Sequence, residues 1–328
     1  MKAVVFHGSG DVRVSELPEP EPGAGEVLLA VEGCGVCGTD VHIYRGEAPA
    51  RTGVVLGHEF GGRILAVGEG VSREALGRRV AVNPNLNCGY CPSCREGNIH
   101  LCLNLRALGV DLPGGFAEKA VVPALQVELF PEDLPSETIT LVEPLACALH
   151  GLDLAGVRPG DDVLVQGAGP MGLILVQLAR LAGAAKVAVA DPSPARRARA
   201  LACGADEALR PEELAPGYGV VIEATGNRSA LEQALVLTKG GGTVLLFGVH
   251  PREDVASFSP QAFYRREIRL VGSFTNPHTT ARAVALLSSR RLIMDSVMGA
   301  TISLDDVPAC LAGLRYDTGT GKTVVLAR

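Results

Sequence analysis

Apolar residues in the first 150 positions recur in short alternating runs, Met1–Phe6, Val12–Leu17, Glu26–Gly33 and Arg78–Val82, separated by glycines and prolines. A period of two marks half-buried strands, and the glycine and proline punctuation marks tight turns. This region therefore reads as all-β, a small barrel. Near residue 150 the rhythm changes. Val163–Gln166 reads as a strand, Met171–Ala182 as an apolar helix and Lys186–Ala190 as a strand. Ser193 and Pro194 then open another helix as N-cap and first-turn residue. Val220–Glu223 and Thr243–Phe247 are further strands around a helix over Ser229–Leu237, and Ile268–Val271 is another. Strands alternating with helices predict a parallel, doubly wound sheet, so the fold class is α/β. A helix near Thr280–Ser289 and a strand at Lys322–Leu326 are too short to stand alone and are expected to fold back onto the first region.

Composition narrows the picture. A length of 328 residues suits two domains, and 47% hydrophobic residues allow a sizeable core. The absence of Trp and a net charge of −6 argue against a nucleic-acid partner. The basic pairs Arg78-Arg79, Arg196-Arg197 and Arg265-Arg266 read as solvated surface. The amino terminus runs into a strand pattern without the apolar core of a signal peptide. The most apolar stretch, Val163–Ala190, is interrupted by Gln166, Gln177, Arg180 and Lys186, which argues against a membrane span. A cytoplasmic location is expected, and clustered cysteines in a reducing compartment point to metal before disulfides. Four of the nine cysteines fall within fifteen residues.

Gly167-Ala168-Gly169-Pro170-Met171-Gly172 fits G-x-G-x-x-G. In a chain with 40 glycines the pattern alone is weak, but here an apolar strand precedes it and an apolar helix follows. Gly167 permits the tight turn, Gly169 lets the backbone approach a pyrophosphate, and Gly172 allows close helix–strand packing. Asp191 follows Gly172 by nineteen residues, where a carboxylate accepts hydrogen bonds from the adenine ribose. The alternative for Asp191 is a mere turn residue before Pro192. NAD is favoured over NADP; Arg196 could pair a 2′-phosphate but is expected to cover the adenine instead.

Cys88, Cys91, Cys94 and Cys102 form C-x2-C-x2-C-x7-C, suited to a tetrahedral structural zinc. A ferredoxin-type cluster would end in C-x3-C-P, which is absent. A second set is dispersed: Cys37-Gly38-Thr39-Asp40-Val41-His42, then Gly57-His58-Glu59, then Glu143-Pro144-Leu145. Thiolate, imidazole and carboxylate together suit a catalytic zinc with one open position. Two zinc ions per chain are expected. Cys34 reads as a small buried residue. His7, His100, His150, His250 and His278 carry no signal beyond that of surface or core histidines.

These motifs, with G-G-F-A-E at 114–118, resemble those of the zinc-containing medium-chain dehydrogenase/reductase family over essentially the whole chain. The resemblance implies a GroES-like catalytic domain from residues 1–147 and 277–328, with a Rossmann domain, 148–276, inserted between. It also implies a homodimer or homotetramer. An acidic residue at Glu143 is similar to polyol and threonine dehydrogenases, and Gly272–Pro277 looks like bacterial sugar-alcohol dehydrogenases. Thr275 stands where animal sorbitol dehydrogenases carry an Arg, and Ile43 where they carry a Tyr. The implied activity is NAD-linked oxidation of a secondary alcohol or polyol to a ketone. Thr39 would accept the alcohol proton and His42 deliver it to solvent. Glu59 and Glu143 both remain candidates for the third catalytic ligand, the other orienting the site. Threonine dehydrogenase chemistry and a non-catalytic zinc-binding protein are the competing readings.

Overall fold

A computed structural model describes residues 1–313 and 321–327. The chain divides into two compact units. Met1–Ala146, Asn276–Arg291 and Met298–Arg328 form one, and Cys147–Thr275 with Leu292–Val297 the other. Within the segment 277–328, residues 314–320 and 328 lie outside the described residues.

The first unit holds an antiparallel hairpin, Lys2–Gly8 with Asp11–Glu16, and a seven-stranded sheet. The sheet runs Met298–Ile302, Lys322–Val325, Glu26–Gly35, Glu59–Val67, Arg79–Val82, Val127–Leu129, and Lys119–Pro123 also pairs with Glu26–Gly35. Among the described residues of this sheet, Met298–Ile302 and Lys322–Val325 alone pair in parallel. Strand Glu26–Gly35 shows why alternation works as a signal: Val27, Leu29 and Val31 are buried and the residues between them are not. It continues past Gly33 because Cys34 and Gly35 pair with Phe60 and Glu59 on one side and Val325 and Val324 on the other.

Strand Glu59–Val67 escapes a propensity reading because it carries Gly61 and Gly62. Both are there for close approach: a Cβ on Gly62 would lie 1.9 Å from the Ala30 carbonyl oxygen, and one on Gly61 2.5 Å from that of Val80. Leu29, Ile43, Leu56, Phe60 and Phe116 are fully buried in the resulting core. Burying each such side chain contributes roughly 1.5–3 kcal/mol.

The basic pairs need correction. Arg79 is 4% exposed, not solvated. Its guanidinium meets the Glu32 carboxylate at 2.7 Å and donates to the carbonyls of Pro131 and Leu134. Arg197 likewise donates to the carbonyls of Asp191 and Pro192, and Arg266 to those of Leu235 and Val236. A guanidinium satisfied by carbonyl oxygens serves as a cross-brace.

The second unit is a six-stranded, wholly parallel sheet. Its order is Glu207–Leu209, Lys186–Ala190, Asp162–Gln166, Tyr218–Glu223, Thr238–Leu246, Arg269–Gly272. Numbered along the chain, that order is 3-2-1-4-5-6, and the first and fourth strands flank the switch point where a dinucleotide crosses. Helices Pro170–Leu181, Pro194–Ala202 and Arg228–Leu237 connect successive strands. Ser193 caps the second of these, its hydroxyl oxygen accepting from the Arg196 N–H at 3.4 Å. Among the described residues no helix is long and apolar enough to cross a membrane.

Candidate active site and metal centres

Helix Gly38–Arg45 starts directly after Cys37. The Asp40 carboxylate accepts the Cys37 N–H at 2.8 Å, and Gly46, at φ 78°, ends the helix in the left-handed region. Fully buried Ile43 seats it in the core. Thr39 and His42, three residues apart, share a helix face. The Cys37 thiol lies 3.6 Å from Thr39 Oγ1, and His42 Nδ1 lies 2.6 Å from Glu47 Oε2. The early stop at Gly46 lets Glu47 reach back to that imidazole.

His58 and Glu59 stand at the start of strand Glu59–Val67, beside that helix. The ligand atoms of Cys37, His58 and Glu59 lie within 4.8 Å of one another. Ligands of a tetrahedral zinc are separated by roughly 3.3–3.8 Å, so a small closure completes the set. Asp40, fully buried, faces His58 Nδ1 at 3.6 Å, in the place of a carboxylate that orients a metal-binding imidazole. Burial opposes a proton on His58, yet the Asp40 carboxylate and Cys37 sulfur outweigh it and hold the imidazole well above its ordinary pKa. The Asp40 carboxylate and Cys37 sulfur that favour a cation on this ring also suit a dication.

Two further charges complete the arrangement. Lys322 Nζ pairs with Glu59 Oε2, and the two side chains are 5% and 1% exposed. Burial opposes the lysine charge, but the Glu59 carboxylate and the Cys37 sulfur raise its pKa above the usual value, and Glu143 adds to the effect. Gly35 makes room for this pair, since a Cβ there would sit 2.2 Å from the Glu59 carboxylate and 2.8 Å from the Lys322 chain. Glu143 occupies the first turn of helix Val142–Ala155 and is 9% exposed. Its carboxylate is not among the three convergent ligand atoms. Sequence reasoning missed Lys322 altogether. Asp40 was visible only as a motif letter, though an acidic residue three positions after a helix start is a capping signal.

The four cysteines of the 88–102 loop bring their sulfurs within 4.8 Å of one another. Backbone N–H groups point at them: Cys88 and Asn104 donate to Cys102 Sγ at 3.3 Å, and Cys91 to Cys88 Sγ at 3.4 Å. Burial pushes the Cys88 thiol up, but the N–H groups of Tyr90 and Cys91 more than offset it and bring it to about 6. Cys91 is lowered too, by the N–H groups of Leu103 and Cys94, whereas burial pushes Cys102 up to about 11. Four converging sulfurs fit a closed tetrahedral metal site. None of the nine cysteines is paired in a disulfide.

At the nucleotide fingerprint, Gly167 takes φ 97° and packs against Thr225, where a Cβ would lie 2.9 Å from the threonine methyl. Gly169 is the N-cap of helix Pro170–Leu181, and the space where its Cβ would sit is open. Pro170 occupies the first turn, followed by Met171, and a Cβ on Gly172 would lie 1.9 Å from the Gly167 carbonyl oxygen. The free N–H groups of that helix start make an anion site. Asp191, 2% exposed, accepts the Ala168 N–H at 2.9 Å and the Ser193 N–H at 2.8 Å. Arg196 approaches the same carboxylate at 3.7 Å.

Comparison with known proteins agrees with this geometry. Residues 23–132 match the alcohol dehydrogenase GroES-like domain and residues 170–289 the zinc-binding dehydrogenase domain. The chain is 36% identical to D-arabinitol dehydrogenase 1 of Uromyces fabae, covering 95% of this chain and 93% of that protein. It is 37% identical to L-threonine 3-dehydrogenase of Pyrococcus abyssi, covering 86% of each. A solved structure described as a zinc-binding dehydrogenase of Sinorhizobium meliloti 1021, bound to NADP, superposes with a TM-score of 0.96 at 38% identity over 99% of both chains. The GroES-like and Rossmann-type domains, the motif order and these similarities together place the chain in the zinc-containing medium-chain dehydrogenase/reductase family, as an alcohol-oxidising oxidoreductase similar to its polyol-dehydrogenase-like branch.

Proposed function

We propose that the protein oxidises a secondary alcohol of a small polyol to the ketone with NAD as hydride acceptor, reversibly. The convergence of Cys37, His58 and Glu59 within 4.8 Å, backed by buried Asp40, carries this reading. A zinc ion held there would lower the pKa of an alcohol hydroxyl and stabilise the developing negative charge. Thr39, next to Cys37 Sγ, takes the hydroxyl proton, and His42, held by Glu47, stands at the solvent end of the path. Glu59 is the third ligand in this arrangement and Glu143 acts on the site through charge. Cys88, Cys91, Cys94 and Cys102 hold a second, structural zinc.

The substrate class rests on the 36% identity with the arabinitol enzyme over 95% of the chain. Threonine is the second reading, supported by 37% identity over 86%. Incubating the zinc-loaded protein with polyols, threonine and simple alcohols, read by NADH absorbance, separates them. Turnover of threonine above every polyol would overturn the first reading, and turnover of nothing would favour the non-catalytic one.

For the cofactor, Asp191 repels a 2′-phosphate while Arg196 attracts one, and the carboxylate stands deeper and is fixed by two backbone N–H groups. NAD is therefore the preferred cofactor. A higher kcat/KM with NADP, as the ligand of the similar Sinorhizobium structure makes worth testing, sinks that assignment. A homodimer or homotetramer accords with the solvent-facing edge strand Arg269–Gly272, where Leu270 is 40% exposed. Light scattering decides it. Nine cysteines without a disulfide suit a reducing cytoplasm.

A further inference from the structure

Glu223 ends the fourth strand of the parallel sheet, at the switch point, with its side chain fully buried. A buried carboxylate with no role in packing the sheet calls for an explanation. Its two oxygens serve different loops. Oε1 accepts the N–H of Thr225 at 2.6 Å and of Gly226 at 3.0 Å, and also the Thr225 hydroxyl. Oε2 lies 3.0 Å from His250 Nε2, in the loop after the fifth strand. The Glu223 main-chain oxygen meanwhile accepts the N–H groups of Phe247 and Gly248.

Glycines let the two loops approach closely. A Cβ on Gly248 would lie 2.2 Å from the Gly226 nitrogen, and one on Gly226 the same distance from the Val249 carbonyl oxygen. Thr225, fixed by Glu223, is also the residue against which the fingerprint glycine Gly167 packs. One carboxylate thus ties together the turns after the fourth and fifth strands, and the Thr225 methyl lies against the turn after the first. The other imidazole nitrogen of His250 faces Asp254 at 3.7 Å.

A dinucleotide in this sheet order puts one nucleotide over the first and second strands and the other across the switch point, over the fourth and fifth. Asp191 and the 167–172 turn belong to the first half; the loops joined by Glu223 belong to the second. We propose that Glu223 and His250 act together as positioning residues for the second nucleotide of the bound dinucleotide, holding both loops in the shape that half requires. The proposal rests on the dinucleotide reading above.

Its test measures binding, not turnover. The full chain is titrated with NADH, which fills both halves, and with ADP, which fills only the first, for the parent, His250→Ala, His250→Gln and Thr225→Val. Losing one charge-assisted bond from the hub should weaken NADH in His250→Ala by about tenfold, with ADP affinity within about twofold of the parent. His250→Gln, which keeps a donor for Oε2, should recover most of the loss. Thr225→Val should show the same split and decides the matter if His250→Ala does not melt cooperatively. Unchanged NADH affinity in both variants, or parallel loss of NADH and ADP, overturns the proposal. A parent that binds neither ligand overturns the dinucleotide reading beneath it.

Discussion

Replacing Lys322 with Met removes the cation from a pair in which both partners are almost wholly buried, at 5% and 1% exposure. The Glu59 carboxylate is then left in a low-dielectric pocket with no counter-charge. Breaking such a pair from one side costs about 3–5 kcal/mol. For a domain of this size, roughly 2–4 °C of melting temperature is lost per kcal/mol, so the metal-stripped variant should melt on the order of 10 °C lower. Zinc changes the arithmetic, because the dication supplies the missing charge. The zinc-loaded variant should therefore lose much less, and by the thermodynamic cycle its zinc affinity should rise by the difference. A difference of about 3 kcal/mol corresponds to more than a hundredfold tighter binding. Calorimetry of stripped and loaded protein, with chelator competition for affinity, measures both arms. Equal destabilisation with and without zinc, or unchanged zinc affinity, would refute the idea that lysine and metal share Glu59.

Other outcomes follow from the same geometry. Metal analysis should find two zinc ions per chain, and Cys91→Ser should release one while lowering melting temperature more than turnover per folded molecule. Thr39→Val should lose about 10²–10⁴-fold in kcat with zinc retained, and His42→Ala less, with partial rescue by added imidazole; near-normal turnover of Thr39→Val excludes the proton path. Gly172→Ala places a Cβ 1.9 Å from the Gly167 oxygen, so both stability and NADH binding should fall, and an unperturbed variant would contradict the packing. In the metal-stripped protein, Cys88 should alkylate with a limb near pH 6, since its folded pKa of about 6 lies below the ordinary thiol value. The sign follows: the thiolate's stabilising bonds are present at high pH and lost as pH falls through about 6. A limb near 8.5 would mean that the N–H nest dissolves without metal.

The parallel sheet was legible because its strands are continuous apolar runs, such as Val163–Gln166, and its helices begin with plain signals, Ser193-Pro194 among them. The convergence of the four thiols of one loop was legible because local spacing constrains it, as were the offsets of Thr39 and His42 from Cys37 on one helix. Strand Glu59–Val67 was hidden, since Gly61 and Gly62 serve a neighbouring backbone and contribute nothing to a periodic pattern. Arg79 and Lys322 were misread or missed for one reason. A charged side chain reads as solvent-facing unless its partner is adjacent, and Glu32 and Glu59 are brought to them only by sheet pairing. That Glu59, and not Glu143, converges with Cys37 and His58 was likewise visible only in the coordinates.

The pairing of Lys322–Val325 with Glu26–Gly35 also bears on how the protein is born. A chain emerges from the ribosome amino end first, at about 5–20 residues per second. The 88–102 loop holds all four of its convergent thiols within one local stretch, so the group can form early in synthesis. Cys37, His58 and Glu59 emerge before it, yet the lysine that neutralises Glu59 arrives only with the last strand. For most of translation this carboxylate belongs to an unfinished sheet with an open edge beside Glu26–Gly35. The parallel sheet, whose strands lie between residues 162 and 272, can meanwhile complete itself. Chain order thus lets the 88–102 loop form first, the parallel sheet next and the Lys322–Glu59 pair last.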